Sequence, residues 1–293
     1  MQAPLPVGLV GAGPWASVAH APMLAAGPHT ELAGIWARRP EAAEELARRH
    51  GTRAFGELDA LLEACEAVAF AVPPDVQPEL AARAARAGKA ILLEKPLALS
   101  PSSARSLTDA VDEASVGSMM VLTWRFAPVV REFIATAASE AYFGGRARFI
   151  SGGLLRGSEF ATSWRLEHGP LFDLGPHVLD LLDAALGRIV SVHSALGDAH
   201  GLSHLALEHE GGATSVASLC GNCAVDPSLA GAELFGPSGR IAVDCKGLRS
   251  AAFPNIAAEF ALAAREREHP LDIHHGLRLQ ELLAEAQHSL ATS

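Results

Sequence analysis

The feature that most constrains this chain is a short apolar run, Pro4 to Val10, that breaks into Gly11-Ala12-Gly13-Pro14-Trp15-Ala16 and then an Ala-rich stretch. A strand that feeds a glycine turn and then a helix is the opening of a parallel βα unit. The two glycines permit a tight turn and let the backbone approach a pyrophosphate. Ala16 stands where the third glycine of the pattern can be replaced, at the contact of helix and strand. Pro14 suits a helix first turn, where no N–H partner is needed, and the helix N-terminus then faces the phosphates. A dinucleotide site is expected at Gly11, Gly13, Pro14, Trp15 and Ala16.

Strand and helix patterns continue to alternate behind this turn. Strands are expected at Glu31 to Ala37, Ala67 to Val72 and Ala90 to Leu93, and helices at Pro40 to His50, Pro78 to Ala87 and Ser102 to Ala114. Such alternation implies an α/β, doubly wound parallel sheet. Ligands in these sheets bind beyond the carboxyl ends of the strands. Gly11, Val72-Pro73-Pro74 and Glu94-Lys95 all fall at or just past such ends, so the sheet should gather them. The second strand ends in Trp36-Ala37-Arg38-Arg39, with no acid before Glu41 to hold a ribose 2′-hydroxyl. Arg38 and Arg39, beside Ala37, suit a 2′-phosphate instead, which favours NADP over NAD.

From Arg146 onward strand-like segments dominate: Arg146 to Leu155, Val190 to Ala199, Ser203 to His209, Thr214 to Leu219, Ala232 to Phe235 and Ile241 to Asp244. Helices fit Val178 to Leu186, Asn255 to Glu268 and His274 to Leu290. This reads as an α+β domain with one largely antiparallel, open sheet. The boundary is placed near Val121 to Trp124, giving a dinucleotide-binding domain 1–121 and a substrate-binding and oligomerisation domain 122–293. In Asp173-Leu174-Gly175-Pro176-His177, with Asp180 three residues on, a helix would put the three polar side chains on one face. Gly175-Pro176 reads more readily as the helix start, with Asp173 in the turn before it. An ionised Asp beside an imidazole fixes its tautomer and favours its protonated form.

Composition excludes several classes. Lys plus Arg is 23 against 33 Asp plus Glu, a formal charge of −10, so neither nucleic acid nor an anionic membrane is an expected partner. No stretch is apolar enough to span a bilayer and the N-terminus lacks a signal-peptide pattern, so a cytoplasmic location is expected. Cys220-Gly221-Asn222-Cys223 has half-zinc-site spacing, but no second pair follows, and no metal is expected. Tyr142 is the only tyrosine and Arg146, not Lys, stands four residues on, which excludes a Tyr-Lys catalytic pair.

The chain resembles the Gfo/Idh/MocA oxidoreductase family (glucose–fructose oxidoreductase, inositol dehydrogenase and relatives) over nearly its whole length. The resemblance is carried by the Gly-x-Gly turn, Ala71-Val72-Pro73-Pro74, Ala87-Gly88-Lys89, Glu94-Lys95-Pro96, Arg125-Phe126-x-Pro128, Asp173-x-Gly175-x-His177-x-x-Asp180 and Gly236-x-x-Gly239-Arg240. It implies a Rossmann domain plus a sheet domain whose open face makes contacts in a homodimer or homotetramer. It implies hydride transfer between NADP or NAD and a carbonyl or hydroxyl of a sugar, cyclitol or related polyol. Carried over by position, Lys95 polarises the reacting oxygen, His177 donates or accepts the proton, Asp173 contacts substrate or orients His177, and Glu94 supports Lys95 or the cofactor. The chain departs from the family at Glu167-His168-Gly169-Pro170, where a glycine run is reduced, and at Thr123-Trp124, where a polar amide is common.

This chemistry needs a cation at the developing alkoxide and an acid–base group titrating near neutrality. The substrate pocket is expected between the domains, bordered by Lys95, Trp124, Arg125, Trp164, Arg165, Asp173 and His177. Two alternatives are a reductase of a non-sugar carbonyl or imine, suggested by Trp124 and Trp164, and a catalytically silent NADP-binding regulatory protein on the same fold.

Overall fold

The computed structural model describes residues 3–292. β1 (Leu5–Val10), β2 (Thr30–Trp36), β3 (Ala67–Phe70), β4 (Ala90–Leu93) and β5 (Ser118–Met120) form a parallel sheet in the order β2-β1-β3-β4-β5. β3 and β4 are buried at every position, as continuous apolar runs in a sheet covered on both faces should be. The chain order reverses at β1, and a crevice opens at such a point beyond the strand ends. The connecting helices are α1 (Ala21–Ala25), α2 (Pro40–Arg49), α3 (Leu58–Glu63), α4 (Gln77–Arg86) and α5 (Pro101–Ala114). α5 shows why its boundary was legible. Ser100 Oγ accepts from Ser103 N at 3.2 Å, and Pro101 occupies the first turn. α3 and β5 were not anticipated; β5 has three residues, and only its pairing with β4 defines it.

The second sheet contains β6 (Gly144–Ile150), β7 (Ile189–Gly197), β8 (Ser203–His209), β9 (Thr214–Cys220), β10 (Leu229–Gly236) and β11 (Gly239–Asp244), ordered β11-β10-β6-β9-β8-β7. All neighbours are antiparallel except β6 and β9, which run parallel. The alternation expected of a half-covered sheet is clear in β8, where Ser203, Leu205, Leu207 and His209 are buried and the residues between them are not. α6 (Pro128–Ser139) and α7 (Ser163–Leu186) precede this sheet's later strands. α8 (Arg249–Glu266) and α9 (Ile273–Thr292) end the chain.

α7 corrects one expectation. Its helix does not begin at Gly175-Pro176. It is interrupted at Gly169, with φ of 68°, a left-handed value that glycine adopts without steric penalty. It resumes at Pro170, where a missing N–H costs nothing. Asp173 therefore lies inside the helix. Glycine at 175 fits this packing closely, since a Cβ there would come 3.0 Å from Leu283 Cδ2 and make the leucine shift.

The chain divides into two compact units. One runs to Val121 and takes in Phe253–Arg278; the other is Leu122–Ala252 with Leu279 onward. The sequence reading assigned all of 122–293 to the second domain, and the returning segment departs from that division. Backbone pairing holds it in the first unit: Met120 N donates to Leu271 O at 2.7 Å, and Ile273 N donates to Ser118 Oγ at 3.1 Å. Among the described residues no helix is long and apolar enough to cross a membrane.

Candidate active site

In the first unit the turn after β1 is shaped by two glycines with different constraints. Gly11 has φ of 119°, and a Cβ there would lie 2.3 Å from Ala71 O. A Cβ at Gly13 would meet nothing within 4 Å, so this backbone borders open space. Such a surface fits the close approach of a pyrophosphate. The chain is helical from Pro14 to Ala25, with Ala16–His20 wound as a π turn. Val72, Pro73 and Pro74 follow β3 beside Gly11, and Val72 Cγ1 lies 3.2 Å from where a Gly11 Cβ would sit. Ala37, Arg38 and Arg39 follow β2; both arginines are exposed, and their side chains make no ion pair or hydrogen bond among the described residues.

Glu94 is the buried hub at the end of β4. Its Oε1 accepts from Trp15 Nε1 at 2.6 Å and lies 2.7 Å from His20 Nε2. Its Oε2 accepts from the Lys95 backbone N–H at 3.2 Å. Gln77, fully buried, clamps the same segment from α4. Its Oε1 accepts from Glu94 N at 2.9 Å, while its Nε2 donates to the carbonyls of Glu94 at 2.8 Å and Leu97 at 3.0 Å. Lys95 is thus carried on a segment held from both sides. Trp15 spends its indole N–H on Glu94. Neither His20 nor Gln77 was singled out from sequence, because each lies in an ordinary helical pattern and gains its role only through contact with residue 94.

In the second unit Asp173, His177 and Asp180 follow one another along α7. The His177 ring lies among aromatic rings: its centroid is 5.2 Å from Trp124 and 6.2 Å from Phe149, and those two are 5.1 Å apart. Trp124 comes from a 3-10 turn, Thr123–Phe126, and Phe149 from β6. Phe149 was not singled out from sequence. Asp173, nearly buried, accepts from Arg165 Nε at 2.9 Å, and Arg165 also reaches Thr162 Oγ1 at 3.3 Å. The Arg165 guanidinium lies over the Trp164 ring, 4.6 Å from its centroid. Arg125 Nη1 donates to Asp180 Oδ1 at 2.7 Å. Of the six residues of this unit expected at the substrate, Asp173, Arg165 and Trp164 therefore form one contact group and His177 and Trp124 another. Arg125 ties the Trp124 turn to α7.

Residues 5–122 match the model of the Gfo/Idh/MocA oxidoreductase family, described as an NAD-binding Rossmann fold. Residues 5–122 thus carry the NAD-binding Rossmann fold of the Gfo/Idh/MocA oxidoreductase family. The chain is 28% identical over 185 residues to the glucose-6-phosphate 3-dehydrogenase of Bacillus subtilis, covering 60% of this chain and 52% of that protein. It is 30% identical over 203 residues to the dTDP-3,4-didehydro-2,6-dideoxy-alpha-D-glucose 3-reductase of Streptomyces violaceoruber, covering 66% and 57%. The sequence alignments to the curated relatives thus span about half of their length. The fold is shared with GenD2 from gentamicin A biosynthesis, solved in complex with NAD, at a TM-score of 0.88 and 24% identity over 99% of this chain and 95% of that one. The matched region contains Gly11, Glu94 and Lys95 and stops before Asp173 and His177.

Proposed function

We propose that this chain is an NAD(P)-dependent dehydrogenase or reductase acting on a hydroxyl or carbonyl of a sugar, cyclitol or related polyol. The observation that carries the proposal is the clamped Lys95 segment beside an open glycine turn, in a chain that also sets His177 on a helix with Asp173. The nicotinamide, when bound, supplies or takes up the hydride. Lys95 holds the substrate oxygen and stabilises its developing negative charge. His177 takes the hydroxyl proton in oxidation and returns it in reduction. Its aromatic neighbours fix the ring's orientation, while Arg165 holds the Asp173 carboxylate in place. The reading requires one substrate to meet both Lys95 and His177. Sugar and cyclitol substrates fit the relatives whose names specify such compounds, inositol 2-dehydrogenase from Rhizobium meliloti among them.

The same proposal assigns NADP as the preferred cofactor, because the strand end carries Arg38 and Arg39 where an acid would hold a 2′-hydroxyl. Arg38→Ala is expected to weaken NADP(H) binding by about 1.5–3 kcal/mol, the range of a charge-assisted hydrogen bond, and to leave NAD(H) nearly unaffected. Titration of both cofactors by nicotinamide fluorescence reads this directly. Equal affinities in the parent protein would reverse the assignment.

We also assign self-association to the second sheet's exposed face. There Val216, 42% exposed, pairs with Arg146, whose guanidinium lies 2.9 Å from Glu233, itself 3.2 Å from Arg240, and Leu196 on the edge strand β7 is 65% exposed. Exposed apolar side chains next to charged ones are the composition of a contact surface. Val216→Asp is expected to shift the molar mass measured by light scattering from that of a dimer or tetramer to that of a monomer. A parent protein already monomeric at high concentration would remove this role.

A further inference from the structure

The π turn Ala16–His20 ends on a histidine to which the reaction above gives no part. His20 is 1% exposed. The turn is closed by Ala21 N–H on Ala16 O, five residues back. One residue is thereby inserted into the helix, and the side chain at its end takes a face that an uninterrupted α-helix would give to a neighbour. Such turns occur frequently at functional sites.

The histidine so placed is 2.7 Å from Glu94 Oε1 through its Nε2. The same oxygen accepts from the Trp15 indole, and an ionised carboxylate offers no hydrogen, so Nε2 carries the proton and donates. Nδ1 is buried with no hydrogen-bond partner among the described residues. A histidine retained for packing alone is better satisfied, as His209 is. Its Nδ1 donates to Gly187 O at 2.6 Å and its Nε2 accepts from Ser215 Oγ at 2.8 Å. His20 instead directs its one hydrogen bond to Glu94.

We infer that His20 is a positioning residue of the active site: its Nε2–H fixes the Glu94 carboxylate, and through it the Trp15 indole and the Lys95 backbone. A carboxylate holding three N–H donors is restrained from turning toward the Lys95 ammonium, whose charge is needed at the substrate oxygen. The inference rests on the reading that Lys95 acts there.

The test uses the full chain labelled with nitrogen-15 tryptophan. Its four indole signals are separated by assigning Trp15 with Trp15→Phe. His20→Leu fills the space without a donor, and His20→Gln returns an N–H near the Nε2 position. In His20→Leu the Trp15 indole signal moves while the other three stay, and in His20→Gln it returns. With an active substrate, kcat falls about tenfold or more in His20→Leu, as misplacement of a reacting group costs, and recovers in His20→Gln. NADH affinity and the unfolding midpoint, which the lost donor on the Glu94 carboxylate lowers in His20→Leu, return near the parent's in His20→Gln. An unmoved indole signal in His20→Leu overturns the inference, as does a kcat equal to the parent's or an equal loss in both variants. A parent protein that turns over no alcohol or carbonyl defeats the oxidoreductase reading by itself. The indole signal still decides whether His20 sets Glu94.

Discussion

His177→Ala is expected to lower turnover by about 10²–10⁴-fold, the usual loss when a positioned proton donor is removed. Lys95→Ala is expected to lose as much or more, because the charge that stabilises the alkoxide disappears. Neither change should alter cofactor affinity greatly. The glycine turn and the Glu94 hub are assembled from other side chains, and Glu94 contacts Lys95 through its backbone N–H at 3.2 Å. The double variant should be little worse than either single one, since both groups act on one transition state. Steady-state turnover with parallel NADH and NADPH titrations measures all of this. Parental turnover in either single variant would remove that residue from the mechanism. Tight cofactor binding with no turnover on any sugar, cyclitol, aldehyde or imine would make the chain a nucleotide-binding regulator.

Arg125→Ala is expected to destabilise the second unit by about 3–5 kcal/mol, the cost of stripping one partner from a buried ion pair. Asp180 is 1% exposed and accepts from Arg125 Nη1 at 2.7 Å. Its carboxylate would be left in the interior without that cation. The reverse change, Asp180→Ala, should cost less, because the Arg125 side chain is 20% exposed and can reach water. The loss should also loosen the turn that carries Trp124, and with it one wall of the His177 ring. Urea unfolding of the two single variants and of Arg125→Met with Asp180→Leu together checks the pair. Recovery of stability in the double variant is expected, because two apolar side chains leave no charge unmatched. A double variant as unstable as the sum of the singles would show that the pair does not act as a unit.

What the sequence determined by itself is what a local stretch of backbone can encode. Gly11 and Gly13, the strand ahead of them and the apolar run Ala90–Leu93 belong to a parallel sheet whatever surrounds them, because close approach and burial on both faces admit few residue types. The helix Pro128–Ser139 is also written locally, in Pro128 and in Val130, Phe133 and Ala137 along one buried face. Other features needed the tertiary structure. Gly175 and Pro176 read as a helix boundary because each weakens a helix in isolation. The packing of Gly175 against Leu283 and the kink already made at Gly169 place both inside α7. Phe253–Arg278 returns to the first unit through bonds to Ser118 and Met120, more than a hundred residues away in the chain. The Glu94 hub is the sharpest case. Its partners Trp15 and His20 lie 79 and 74 residues from it. Nothing in the local pattern of His20 separates it from an ordinary helix residue, and Trp15 reads there only as part of the glycine turn. Only the parallel pairing of β1, β3 and β4, which aligns the carboxyl ends of distant segments, makes them neighbours.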